Sequence, residues 1–554
     1  MRKLFLIIFL LILIALGTLG FLSSIYLRQG EDVSGLDLKV AAGYKTELIF
    51  KSNLANPSDI VRDPEGNLYI AQTDRNSIVK VAPDGSYEEY VTLPANPQAI
   101  LLTPEGGLLA GTVNDKIYKI TKDKKVEEWV QVPAFRIAMD KDGNIYSTGY
   151  LSSKIQKTTP QGVTTVFMDG FVSPSDVEFD SQGNLYTTDS GVGKIYKIVG
   201  NEKVVVAEGF IINDPFSIAF DKNDQMHSTD NVYGIAKVNN GNVTSLYSAG
   251  SVVEAPSDLI IDEDGTIYLA SSAKGGLFKI TADGKITMLI SGFSSRGMAI
   301  LNEEIYISDD NVYPPQNGRI LRMSDRKTIA EGFYKIQDIV TDGTYFYALD
   351  LNKSAEENNN IWRVSSDGSR TLLAMIRKKE SYSALSGPAS LGYDRTTNEV
   401  LVFLGGSNEL MRIKQDGTVY TQGNIQFRDF GFTANMAVDK EGTLYILVDY
   451  ATNFNVGPIS RDLIIVKNGE QRVFNFDVDR GAVEDDIVVN SKGETYALLM
   501  GGLEDLFRLV KIENGRIIPV VRSLPVDPLA LDIDNLDNIY INSGAGIIKV
   551  SKLK

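Results

Sequence analysis

The chain has 554 residues, 43% apolar and 23% charged, with 71 acidic against 55 basic residues and a formal net charge of -16. An acidic surplus spread along the chain repels polyanions, which excludes a nucleic-acid partner and leaves cations and divalent metals admissible. The absence of cysteine removes disulfides, thiolate metal sites and a cysteine nucleophile, and the single histidine, His227, leaves no imidazole cluster and only one residue on which a Ser-His-Asp triad could draw.

Residues 1–3 carry two cations, Arg2 and Lys3, and 4–27 follow without a charge as LFLIIFLLILIALGTLGFLSSIYL. As a helix this run is long enough to cross a hydrocarbon core about 30 Å thick. The cations stay on the cytoplasmic side, so a single-pass signal-anchor in the cell membrane is expected, with everything after Arg28 outside the cytoplasm. Small-residue sites, ALG at 15–17 and TLG at 18–20, keep open a secreted protein released by cleavage. Residues 28–42 read as a linker.

From 43 onward one phrase recurs. DPEGNLYIAQTD at 63–74 is echoed by DSQGNLYTTD at 180–189, and alignment on the final tyrosine of GNLY gives twelve copies, mostly 37 to 44 residues apart. A period near 40 with four short alternating runs per copy is the signature of a β-propeller, one four-stranded blade per copy. In the first copy SDIVRD is the inner strand A, NLYIAQ strand B, SIVKVA strand C and YEEYVTL the outer strand D, with PEG and PDG as turns.

Strand counting divides the copies. KTELIF at 45–50 is a D-type strand ahead of the first blade, the chain ends after a C-type strand, and KITMLI at 285–290 is a D-type strand midway. If 45–50 completes the sixth blade and 285–290 the twelfth, the chain is all-β with two tandem six-bladed propellers, 43–281 and 282–554, behind the N-terminal transmembrane helix. A 7+5 division and a single twelve-bladed ring remain open.

The stretch PSDIVRDPEGNLYIAQTDRNSIVKVAPDG resembles the NHL repeat, and more loosely the senescence-marker/gluconolactonase and streptogramin lyase propellers, over nearly all of 43–554. The resemblance implies a six-bladed ring and admits binding platforms, lactonases, lyases and scaffolds.

Ligand sites are expected at the channel mouth, where inner strands begin. The residues four before each turn acid are Asp59, Ala99, Arg136, Asp176, Ser217 and Asp258, then Gly297, Asp338, Ser390, Asn435, Asp486 and Ala530. Crowded carboxylates need neutralising. Asp59, Asp176, Asp258, Asp338, Asn435 and Asp486 are therefore candidate oxygen donors to Ca²⁺ or Mg²⁺, with Arg136, Ser217 and Ser390 as ligand contacts. The competing expectation is that these aspartates accept backbone N–H bonds at the strand start. Resemblance to gluconolactonases would place a divalent metal near Asp59, Asp176 and Asp258, but the chain lacks a glutamate at the first inner-strand position.

Aspartates ending strand B (Asp74, Asp189, Asp230, Asp309, Asp350 and Asp449) are expected to cap the B–C turn, and His227 to pack in a tyrosine slot. Long insertions at 309–318, 350–360 and 449–462 all follow strand B and carry Tyr313, Tyr450 and Phe454 beside amides. They suit contact with a protein, peptide or saccharide. The function expected is a binding platform for a protein or surface polymer, the alternative a metal-dependent hydrolase of the gluconolactonase type.

Overall fold

The computed structural model describes residues 30–553 apart from 33–35, 37, 150–151, 210–213, 231–233, 240, 248–254, 273–275, 293–296, 310–317, 352–358, 377–388, 405–408, 423–424, 427–432, 451–458, 479–485, 501–506, 525–527 and 544. The apolar segment 4–27 therefore lies outside the described residues. Among those described, no helix is long and apolar enough to cross a membrane.

The local unit explains the repeated phrase. In blade 1 strand A (Pro57–Arg62) turns into strand B (Leu68–Gln72) through Asp63 to Asn67. Asp63 accepts from the Asn67 N–H at 2.8 Å, the Asn67 side-chain amide at 2.7 Å and the Tyr69 hydroxyl at 3.2 Å. Gly66 sits at φ +89°, a conformation that only glycine takes without strain. Blade 4 repeats the network at Asp180, Asn184 and Tyr186. One carboxylate thus satisfies turn, amide and tyrosine at once, and the tyrosine ring packs edge-on into a neighbouring aromatic, as Tyr69 does on Tyr90 at 5.0 Å.

Twelve sheets result among the described residues, antiparallel but for one added edge strand, and the only helix there is a single 3-10 turn, Ser190–Val192. This is β-propeller architecture. The inner strands of the first six sheets follow one another as neighbours, and the sixth (Pro256–Ile261) returns to the first (Pro57–Arg62). Those of the last six do likewise, Ala530–Ile533 returning to Met298–Leu301. Apolar side chains fill each wedge between blades. Ile60, Ile70 and Val79 pack on Ala270, Leu277 and Ile290 where the first cycle closes, and Met298 and Ile307 pack on Ala530 and Tyr540 where the second does.

The strand exchange differs from the one that strand counting suggests. Ile286–Ser291 pairs with Gly276–Ile280 and completes blade 6 from within its own ring. Tyr44–Lys51 instead pairs with Gly546–Lys552 and supplies the outer strand of blade 12. Ring one is thereby a contiguous insertion between the last and first pieces of ring two, and the boundary falls after Ser291 rather than at 282. Nor are residues 28–42 a free linker where described. Glu31–Asp32 runs parallel to Tyr44–Lys51, and Lys39–Val40 adds an edge to blade 11 beside Arg516–Arg522. The rings also meet directly, since Arg75 of blade 1 donates to the Ala545 carbonyl of blade 12 at 2.9 Å.

Two outcomes are expected. Removing residues 1–53 should leave hydrogen-exchange protection intact in the strands of ring one and abolish it in Ile539–Ser543 and Gly546–Lys552; protection kept in both rings would show that the N-terminal strand is dispensable for closure. Asp180→Ala, which strips four donors of their acceptor, should cost roughly 1–3 kcal/mol in a urea titration.

Candidate functional site

The inner strands present one backbone edge to the channel with no strand to pair it, so their N–H groups need acceptors. The aspartates supply them. Asp59 Oδ1 accepts from its own neighbour Ile60 at 2.9 Å while Oδ2 accepts from Ile100 of the next blade at 2.6 Å. Asp176 bridges Val177 and Ile218 in the same way, and Asp258 reaches Ile60 across the closure at 2.9 Å. Ring two repeats the device with Asp338 on Ile339 and Leu391, and Asp486 on Ile487 and Leu531. Ser390 makes a weaker version, accepting from Met436 N–H at 3.2 Å, and Asn435 occupies the next inner strand, paired with Leu447. Ser217 donates its hydroxyl to Asp258.

Arg136 completes the layer. Only 3% exposed, it donates from Nη1 to the carbonyls of Gln98 (3.1 Å) and Phe135 (2.9 Å). Nη2 donates to those of Ser58 (2.7 Å) and Ser257 (3.0 Å), so one guanidinium ties blade 3 to blades 1, 2 and 6. The rings of Phe135 and Phe216, 4.9 and 5.2 Å from its carbon, hold it in place. The channel of ring one is thus crossed at the level where inner strands begin.

The candidate metal donors consequently serve the backbone. Asp59 and Asp258 share the Ile60 N–H, yet among the described residues no three carboxylate or imidazole groups are placed to hold a metal ion. Asp532 makes an equivalent bridge that sequence reasoning missed, to Ile300 at 2.6 Å and Ile533 at 2.7 Å. It lies two residues beyond the register position Ala530, and the departure of LALDID from the other inner strands is the signal that could have found it.

Open space lies on the opposite side from the expected mouth. A cavity of about 1250 Å³ in ring one is lined by Asp63, Glu65, Thr103 and Asp262 of the A–B turns and by Val61, Leu101, Glu178 and Ile260 deeper in. A smaller one of about 520 Å³ occupies the same side of ring two, with Asp338, Asp486 and Asp532 at its floor. Tyr313 and Phe454 lie outside the described residues. Tyr450 ends strand B of blade 10 (Leu444–Tyr450), and its side chain also falls outside them.

Two of the strand-B aspartates bond away from the B–C turn, while Asp309 pairs with Arg319 of the strand that follows that turn. Asp189 accepts from Val172 and Ser173, and Asp350 from Tyr334 and Lys335, so each secures the loop arriving from the preceding blade. His227 is buried in its tyrosine slot with Nδ1 on the Gln225 carbonyl at 3.1 Å, and burial lowers its pKa.

Burial dominates the channel carboxyls. It raises Asp176, Asp486 and Asp532 to about 7 and Glu178 to about 8. It also raises Asp59, with repulsion from Asp258 added and Arg136 opposing, and Asp338, with repulsion from Asp486 added.

No family model matches the chain, and no curated protein matches it either. Solved structures similar to it include a streptogramin B lyase, 16% identical with a TM-score of 0.37, covering 48% of this chain and 94% of the other. Virginiamycin B lyase from Staphylococcus aureus is 19% identical with a TM-score of 0.36, over 48% and 95%. PorZ, a surface component of the type-IX secretion system of Porphyromonas gingivalis, is 10% identical with a TM-score of 0.40, over 92% and 87%. At such identities the likeness concerns fold and says nothing of activity.

Acids with raised folded-state pKa values bind protons more tightly folded than unfolded. Their stabilising contribution is full below the unfolded value near 4 and is lost as pH rises through about 7 to 8. Glu494, drawn down to about 2 by Lys511 and Lys552, works in the other direction and loses its contribution as pH falls from about 4 towards 2. The melting temperature should therefore peak near pH 4 to 5 and fall from there to about pH 8; a scanning-calorimetry profile that climbs monotonically to pH 9 would contradict the buried-acid layer.

Proposed function

We propose that this chain is an extracytoplasmic binding platform of two six-bladed propellers, held at the cell membrane by 4–27, that presents its strand-B loops to a protein, peptide or surface saccharide. The strongest support is that the residues best suited to channel chemistry are already engaged. Asp59, Asp176, Asp338 and Asp486 bridge backbone N–H groups of successive blades, and Arg136 crosses the mouth on four carbonyls. A scaffold so fixed is a rigid base for loops. The insertions at 309–318, 350–360 and 449–462, with Tyr313, Tyr450 and Phe454, are the elaborated part of the sequence.

A divalent-metal hydrolase of the gluconolactonase type would need Asp59, Asp176 and Asp258 to turn from the backbone towards one Ca²⁺ or Mg²⁺. That would break inter-blade bonds of the kind whose loss leaves buried N–H groups unsatisfied. The geometry gives this alternative less support.

The discriminating experiment uses the full chain and two readouts. Exchanging Tyr313, Tyr450 and Phe454 together for serine should weaken binding to an array of surface polysaccharides and peptides by about tenfold or more, with an unchanged melting temperature. Hydrolysis of small lactones with added Ca²⁺ or Mg²⁺, abolished by Asp176→Ala in a folded variant, would overturn the platform in favour of the hydrolase.

A further inference from the structure

The cavity on the A–B turn side of ring one holds a carboxyl that the fold does not use. Two residues beyond the bridging layer, the inner strands carry Val61, Leu101, Ala138, Glu178, Ala219 and Ile260. Five are apolar and one is an acid. Every bridging aspartate of this ring engages both oxygens, with backbone N–H groups or, for Asp258, the Ser217 hydroxyl. Glu178 accepts only from its neighbour Phe179, at 3.2 Å, and lines the cavity. Asp532, at the corresponding position of ring two, bridges Ile300 and Ile533, so the layer does not oblige an acid to stand idle.

An acid placed among apolar groups with one donor keeps its proton unless a counter-charge arrives to stabilise the ionised form. The charges around it define that counter-charge. Asp59, Asp176 and Asp258 lie in the layer above, and Arg136 is the one cation within it. Arg62 at the rim is paired with Asp262. Lys80, Lys122 and Lys124 belong to blades 1 and 2, across the ring from blade 4. A hydrated divalent ion would need several oxygen ligands, and the lining beside Glu178 in sequence and on the adjoining inner strand is Phe179, Ala219 and Phe220. A single positive charge on an apolar body matches both the unbridged carboxyl of the inner strands and the apolar side chains that flank it at the same level of the ring.

We propose that this cavity binds an organic ammonium group on an apolar body, with Glu178 as its counter-ion and Val61, Leu101, Phe220 and Ile260 as its wall. The inference stands apart from the platform function, which concerns loops on the other face. A free amine and the N-terminus of an apolar peptide share this chemistry. Because Glu178 must be ionised to pair, affinity rises with pH between about 6 and 9, against the repulsion of Asp176 and Asp258.

Calorimetry on the full chain tests it with 4-phenylbutylamine, its neutral twin 4-phenylbutanol, and a short apolar peptide with its N-terminus free or acetylated. The amine or the free peptide should bind at pH 8, the neutral or acetylated twin at least about tenfold more weakly, and Glu178→Gln should abolish the difference. Amine binding without peptide binding assigns a small-molecule source, the reverse a peptide, and either supports the site. Asp532→Asn should leave binding unchanged. Equal binding of charged and neutral twins, or unaltered affinity in a folded Glu178→Gln variant, would overturn it.

Discussion

A strand at the centre of a closed ring is bonded to its own blade on one edge only, and its other edge faces a channel too narrow for a partner strand. Everything at the core of this molecule follows from that unpaired edge. The chain meets the need with short carboxylates that bond their own neighbour and the next blade together, so a polar requirement of the backbone becomes the clasp between wedges. Arg136 answers the complementary need, collecting four carbonyls where the aspartates collect N–H groups. The chemistry that looks catalytic in a residue list is in this way absorbed by architecture.

How far that could be read in the sequence depends on range. The blade motif was legible because it is local: Asp63, Gly66, Asn67 and Tyr69 interact within six residues, so the same letters recur wherever the turn recurs. The exchange of outer strands was not. A D-type strand looks alike at 45–50 and 285–290, and which C-type edge it joins is decided by contacts hundreds of residues away, such as Leu48 against Ile548. The candidate site was half legible. Asp59, Asp176, Asp338 and Asp486 stand at the register position where inner strands begin, and the sequence carries their bonding to backbone as one of two expectations, whereas Glu178 and Asp532 sit two residues further along the strand, outside that register. PSDVEFD differs from PSDIVRD and PSDLIID at three letters, and the meaning of the glutamate among them emerges only when the six strands stand side by side.

The two rings treat the same problem unequally. Ring one places a guanidinium across its channel and leaves a large cavity beneath it, while ring two uses Asp532 to add a bridge and keeps the smaller space. Repetition supplies the walls, and departures from repetition supply the differences between sites.

Because the outer strand of blade 12 is drawn from the start of the chain, the two rings cannot form in the order in which their blades are numbered. Ring one has all its strands once residue 291 has emerged from the ribosome, and can close while ring two is still being synthesised. Tyr44–Lys51 must meanwhile wait, an unpaired edge, for Gly546–Lys552. A strand that precedes ring one thus finds its place only after a strand some five hundred residues later, and the arrival of that strand is what locks the second ring.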